Sequence, residues 1–140
     1  MPTPPPLAEV GLAVKRLQSR HQREANRRLS AEVGLSLPQW DALRHLSERP
    51  DASLHDLAQL TFQTDQAMGT LATRMIKRGL VERVEGPGRA VRHRLTEAGE
   101  IARRNGSAVT AAVLEETIGA LTPDERRTLH RLLLKAGATA

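Results

Sequence analysis

The chain has 140 residues, so one domain is the expectation, and its 26% charged and 39% hydrophobic content fits a folded chain rather than a disordered one. Lys and Arg number 21 against 16 Asp and Glu, a net +5 that leaves a polyanionic partner open, depending on where the charge gathers. With no cysteine, disulfides, thiolate metal sites and cysteine redox sensing are excluded; with one Trp and one Phe, the composition argues against single-strand and RNA binders, which depend on several exposed aromatic platforms.

Residues 1–6, MPTPPP, read as an extended, poorly ordered leader, because proline cannot donate backbone hydrogen bonds. The leader has neither the basic nor the apolar segment of a signal peptide, and no later apolar run approaches the roughly 18 residues of a membrane span. A cytoplasmic protein without membrane attachment is the expectation. From Leu7 a helical pattern runs to about Ala31. Leu7, Val10, Val14, Leu17 and His21 alternate spacings of three and four, as in a coiled-coil seam. Lys15, Arg16, Arg20, Arg23 and Arg27 make the opposite face basic, and Gly34 suits a left-handed position past the helix end.

Ser36, with Pro38 in the first turn and Gln39 at capping-box spacing, opens a second helix with Trp40, Leu43 and Leu46 on its apolar face. Pro50 stops it. Ser53, with Asp56 three residues on, caps a short helix from 53 to 60. Thr61-Phe62-Gln63 is a joint, and Thr64 caps the next helix, which runs to Arg78. There Met68, Leu71, Ala72 and Met75 recur at i, i+3, i+4 and i+7 and bury one face. Gly79 ends it. Residues 80 to 85 and 90 to 95 alternate as two strands around the turn Gly86-Pro87-Gly88-Arg89.

Thr96 caps a long helix reaching about Ile118, with Ile101, Val109, Ala112 and Val113 on one face. Gly99 and Gly106 weaken it, each by roughly 1 kcal/mol relative to Ala. Thr122-Pro123-Asp124-Glu125 is a capping box with proline at the first helical position, and the final helix carries Leu129, Leu132, Leu133 and Ala136.

A short helix, a tight joint, a second helix and a basic hairpin make a winged helix-turn-helix, a mainly α (α+β) unit that reads duplex DNA with its second helix in the major groove. Residues 64 to 78 supply an apolar back, a polar front and a capped N-terminus. Gln66 is placed to pair with adenine, Thr70 and Thr73 to meet bases or phosphates, and Arg74, Lys77 and Arg78 to reach the backbone; Ser53 and Thr64 offer cap positions to phosphate. The hairpin carries Arg83, Arg89, Arg92 and Arg94. Arg89, at its tip, is the candidate for a narrow minor groove, and Arg92 and Arg94 share a face by strand alternation, making that side cationic. The plainer reading is a solvated helix face beside an edge strand kept soluble by charge.

The segments LSLPQWDALRHL, LHDLAQL, RMIKRGLVERV and RHRLTEAGE resemble the MarR family of transcriptional regulators, and the resemblance extends from Leu7 to about Ala136. It implies a triangular homodimer: residues 7–34 and 97–137 as dimerisation helices, and residues 36–96 as a winged helix-turn-helix lobe. It also implies a repressor relieved by a small molecule bound between the dimer helices and the DNA lobe. Arg16, His21, Trp40 and Arg44 are the candidate lining residues, an assortment suited to an aromatic or phenolic acid. The chain departs from the family at Pro87-Gly88-Arg89, where an Asp-x-Arg signature is usual, at Thr70, often Arg, and at Thr61-Phe62, where the joint often holds a Gly.

One chain alone would leave the Leu7–Leu17 and Leu129–Leu133 stripes with little to cover them, so a shared interface is expected. A symmetric dimer would space two reading helices about one DNA turn apart and recognise a pseudo-palindromic operator. The alternative is a winged-helix module for protein–protein assembly, which would call for an apolar face where Gln66, Thr70, Thr73 and Lys77 stand. An enzyme is not expected: no Ser-His-Asp, paired-carboxylate or phosphate-loop arrangement occurs in a plausible context. His45, His55, His93 and His130 have no metal-ligand spacing, and no cofactor is expected.

Overall fold

The computed structural model describes residues 2–85 and 91–139. The hairpin turn and its expected tip residue Arg89 lie outside them. The elements in chain order are α1 (Leu7–Glu32), α2 (Leu37–Glu48), α3 (Leu54–Leu60), α4 (Asp65–Lys77), β1 (Val81–Glu85), β2 (Val91–Leu95), α5 (Glu97–Thr117), one 3-10 turn (Ile118–Ala120) and α6 (Pro123–Ala136).

Helix starts follow local hydrogen-bonding chemistry. Ser36 and Gln39, Ser53 and Asp56, and Thr122 and Glu125 each form a reciprocal capping box, and Thr64 and Thr96 accept from the backbone N–H three residues on. Helix α1 ends where Gly34 turns left-handed at φ +73° and the Leu35 N–H returns to the Leu29 carbonyl at 3.2 Å. The Leu37 N–H then donates to Asn26 Oδ1 at 2.9 Å, fixing the corner between α1 and α2.

The core gathers Leu35, Leu43, Leu46, Leu57, Met68, Met75 and Val81 from the helix-turn-helix and the hairpin, with Leu71 and Leu95 packed at its margin. β1 and β2 are antiparallel, with Val81 opposite Leu95 and Glu85 opposite Val91. Thr61, at the joint, buries its hydroxyl and donates it to the Leu57 carbonyl at 2.6 Å, so no polar atom is stranded there.

Helix α5 corrects an expectation. Its buried face runs through Gly99, Gly106 and Val113, whereas Ile101 is 45% exposed and Ala112 is exposed. The glycines are contact points rather than flaws: a Cβ at Gly99 would overlap the Leu80 carbonyl, and one at Gly106 would overlap the Trp40 indole. The helix rolls its bare side inward to make these two approaches, and the apolar residues off that line turn outward.

The ends of the chain stay uncovered. Ala25 and Leu29 are the buried residues of α1, both near its C-terminal end, while Leu7, Val10 and Val14 are exposed. α6 has no buried residue, and Leu132, Leu133 and Leu134 are each more than a third exposed. Arg28 of α1 and Glu116 of α5 form a two-pronged ion pair, at 2.9 and 2.5 Å, that ties the two long helices together.

Candidate nucleic-acid interface and ligand cavity

Helix α4 buries Met68, Ala72 and Met75 and turns a polar face outward. Thr64, Gln66, Thr70, Thr73, Arg74 and Lys77 are all exposed. Thr64, Gln66, Thr70 and Arg74 line one shallow depression on that face. Thr73 donates its hydroxyl to the Gly69 carbonyl at 3.0 Å, which leaves the oxygen free only as an acceptor. Ser53 is half-buried, its oxygen engaged by the Asp56 N–H at 3.1 Å. The capped start of α4 presents unpaired N–H groups, and Arg74 and Lys77 occupy its last turn.

Two features near this face carry no periodic signal in the sequence. His55 of α3 meets Asp65 of α4 at 2.8 Å across the joint, and the Asp65 carboxylate holds its imidazole above the usual histidine range. Phe62, inside the joint, is 96% exposed and left-handed at φ +57°.

The hairpin is less cationic than strand alternation implies. Arg94 lies opposite Glu82 and pairs with it at 2.5 Å, so its charge is spent within the sheet. Arg92 is half-buried and donates to the Val91 carbonyl at 3.3 Å. Arg83 is exposed and faces the recess between hairpin and α4, which Gly69, Thr73 and His93 also line. His93 is buried there with its Nδ1 unpartnered, and burial, then the Arg83 charge, push its pKa down.

A separate cavity of about 430 Å³ opens between α1, α2 and α5, within the range of small-molecule sites. Trp40 forms one wall, its indole N–H shared between the Arg103 carbonyl at 3.2 Å and Ser107 Oγ at 3.3 Å. The Arg44 guanidinium lies over the ring, 5.4 Å from its centroid, and donates to Asp41 at 2.9 Å, while its buried Nε has no partner. His21 reaches the same space and meets Thr117 Oγ1 at 2.7 Å. The structure therefore brings together His21, Trp40 and Arg44. Arg16 is exposed on α1 and does not line the cavity.

A family model described as MarR family matches residues 33–90. The HTH-type transcriptional repressor Rv2887 of Mycobacterium tuberculosis is 31% identical over 133 residues, covering 94% of this chain and 95% of that protein. The chain belongs to the MarR family. Among solved structures, Rv2887 in complex with DNA superposes with a TM-score of 0.74 at 28% identity, covering 96% of this MarR-family chain and all (100%) of that one. Rv2887 in complex with p-aminosalicylic acid gives 0.75 at 29%, with the same coverage. Escherichia coli MarR in its apo form gives 0.78 at 22% identity over 97% of this chain and 100% of that one, a likeness of fold. The helical frame with one two-stranded hairpin is thus the winged-helix frame of the family. Among the described residues, no helix is long and apolar enough to cross a membrane, and no group of His, Asp or Glu is placed to hold a metal ion.

Proposed function

We propose that this protein is a homodimeric, cytoplasmic transcriptional repressor that binds a pseudo-palindromic duplex operator and lets go when a small aromatic acid enters the α1–α2–α5 cavity. The observation that carries the reading is the exposed polar front of α4, from Thr64 to Lys77, behind a capped N-terminus and beside the exposed Arg83 of the hairpin. Gln66 and Thr70 read base edges, and Lys77, Arg74 and Arg92 hold phosphates. Residues 36–96 form the reading lobe, and residues 7–34 and 97–137 form the dimer. A regulator of this kind needs no catalytic group or cofactor.

Relatives support both halves: Rv2887 has been solved with DNA, and with salicylic and p-aminosalicylic acids. In the cavity, Arg44 supplies the cation for a carboxylate, Trp40 an aromatic wall, and His21 a further polar group. The test is fluorescence anisotropy on duplexes from upstream of the protein's own gene, between 50 and 200 mM salt. A repressor making about six to ten phosphate contacts loses roughly 10³–10⁵ in affinity over that range. Absent or salt-insensitive binding to every duplex would sink the reading. Release by salicylate, with benzene as the uncharged control, tests the ligand half.

A further inference from the structure

The chain spends one of its two aromatic residues in an unusual way. Trp40 is anchored by two hydrogen bonds from its indole N–H. Phe62 touches almost nothing: 96% of its surface faces solvent. Its backbone is left-handed at φ +57°, a conformation in which a Cβ crowds the following carbonyl and which favours Gly or Asn. Two unfavourable terms, an exposed apolar ring and a strained backbone, thus fall on one residue. Phe62 is the sole residue other than glycine with positive φ among those described. Such an outlier points toward function when the surrounding fold holds it in place. It is held here: the Phe62 N–H donates to the Gln59 carbonyl at 3.3 Å, the Gln63 N–H to the Ala58 carbonyl at 2.8 Å, and Thr61 is locked by its buried hydroxyl.

Position supplies the occupant. Phe62 precedes the N-cap Thr64 by two residues, so its Cα lies within about 7.6 Å of that of Thr64, two trans peptide units away. The exposed ring thus stands beside the N-terminal end of the helix whose front carries Thr64, Gln66 and Thr70. The uncovered apolar stripes of α1 and α6 belong to other elements and do not include it. In a major groove lined by polar base edges, the apolar feature is the C5-methyl group of thymine. Resting on the DNA-binding reading above, we propose that the Phe62 ring packs on a thymine methyl of the operator, one in each half-site, and so specifies a base that no hydrogen-bonding side chain of α4 reads.

The experiment compares the wild-type dimer with Phe62→Gly and Phe62→Asn, two residues that accept the left-handed backbone and lack the ring. The proposal expects both variants to melt at or above the wild-type temperature yet bind the footprinted operator about ten-fold or more weakly. Each thymine of the operator is then replaced by deoxyuridine, which removes the methyl alone. Wild type should lose about four-fold per half-site at one position, the worth of one buried methyl, and both variants should be indifferent there. Wild-type affinity in both variants overturns the proposal, as does a variant whose uridine sensitivity matches wild type at every thymine. Failure of the wild-type arm on all duplexes would instead bring down the DNA reading itself.

Discussion

Gly106 of α5 lies against the indole of Trp40 so closely that a side chain there has no room, with Trp40 Nε1 and Leu29 Cδ2 also within 3.2 Å of where its Cβ would stand. This contact sets the depth at which α5 crosses α2. Gly106→Ala should therefore destabilise the fold by about 1–3 kcal/mol, the usual cost of overpacking, despite alanine's better helix propensity. Gly99→Ala should cost more, because the obstructing atom is the Leu80 backbone carbonyl and cannot rotate away. Urea denaturation of the two variants orders them; a stabilised Gly99→Ala would show that α5 is free to shift.

Arg44→Gln should keep the fold and impair the response to ligand. The guanidinium is the cationic group of the cavity that also holds His21 and Trp40. A charge-assisted bond to a carboxylate contributes about 1.5–3 kcal/mol, so salicylate affinity by calorimetry should fall by roughly ten-fold or more. Arg16→Gln, outside the cavity, should leave it unchanged.

Stability should fall in two acid windows. Burial lowers the pKa of His93 and of His45, with the charges of Arg83 and Arg44 adding to it. The unfolded chain therefore binds more protons as pH drops through about 6.5, and stability is full above that value and declines below it. His55 has the opposite sign: Asp65 raises its pKa, so its contribution is present at low pH and lost as pH rises through the raised value. The second window belongs to carboxylates. Arg27 and Arg28 hold Glu24 at about 2, and Arg28 lowers Glu116, so their contribution is present above the ordinary carboxylate range and lost as pH falls below it. Thermal melts from pH 8 to 3 should show both, and His93→Leu should reduce the first, leaving the part due to His45, without changing the second.

Leu17→Glu should yield a monomer by light scattering. Val14, Leu17, Leu129 and Leu133 line an apolar groove between α1 and α6 that this chain alone leaves open. A charge in it would be buried without a partner in the dimer. Persistence of the dimer would place the interface elsewhere.

Gln66→Ala and Lys77→Ala should separate reading from holding. The first should relax preference at one base pair per half-site by about 1–3 kcal/mol; the second should weaken all duplexes alike and reduce the salt slope by about one per subunit. A competition binding series at several salt concentrations measures both.

What was legible in the sequence was what local chemistry decides. The capping boxes at Ser36, Ser53 and Thr122 need partners only three residues away, and the buried face of α4 follows from spacing alone. What was hidden depends on partners brought together by folding. Gly99 and Gly106 read as weak points until Leu80 and Trp40 arrive beside them. Arg94 reads as a free cation until strand register sets Glu82 opposite it. The exclusion of Arg16 was legible: five residues carry a helix about 140° around its axis, so Arg16 leaves the cavity that His21 faces, as its place on the opposite, basic side of α1 already implied. Phe62 was visible only as an unusual residue in the joint; its exposure belongs to the fold.

The Leu80 carbonyl accepts the Thr96 N–H at 3.0 Å and rests against Gly99, which clamps both strands of the hairpin at one end. Mechanically the hairpin is a lever, clamped there and seated on the helices through buried His93. Its five-residue strands reach about 17 Å from the clamp, so a tilt of only ~5° at Leu80 displaces the far end by ~1.5 Å, half the length of a hydrogen bond. On the proposal that Arg92 holds a phosphate, small repacking of α5 against Leu80 would be geared up into a displacement large enough to break that contact, without any strand having to bend.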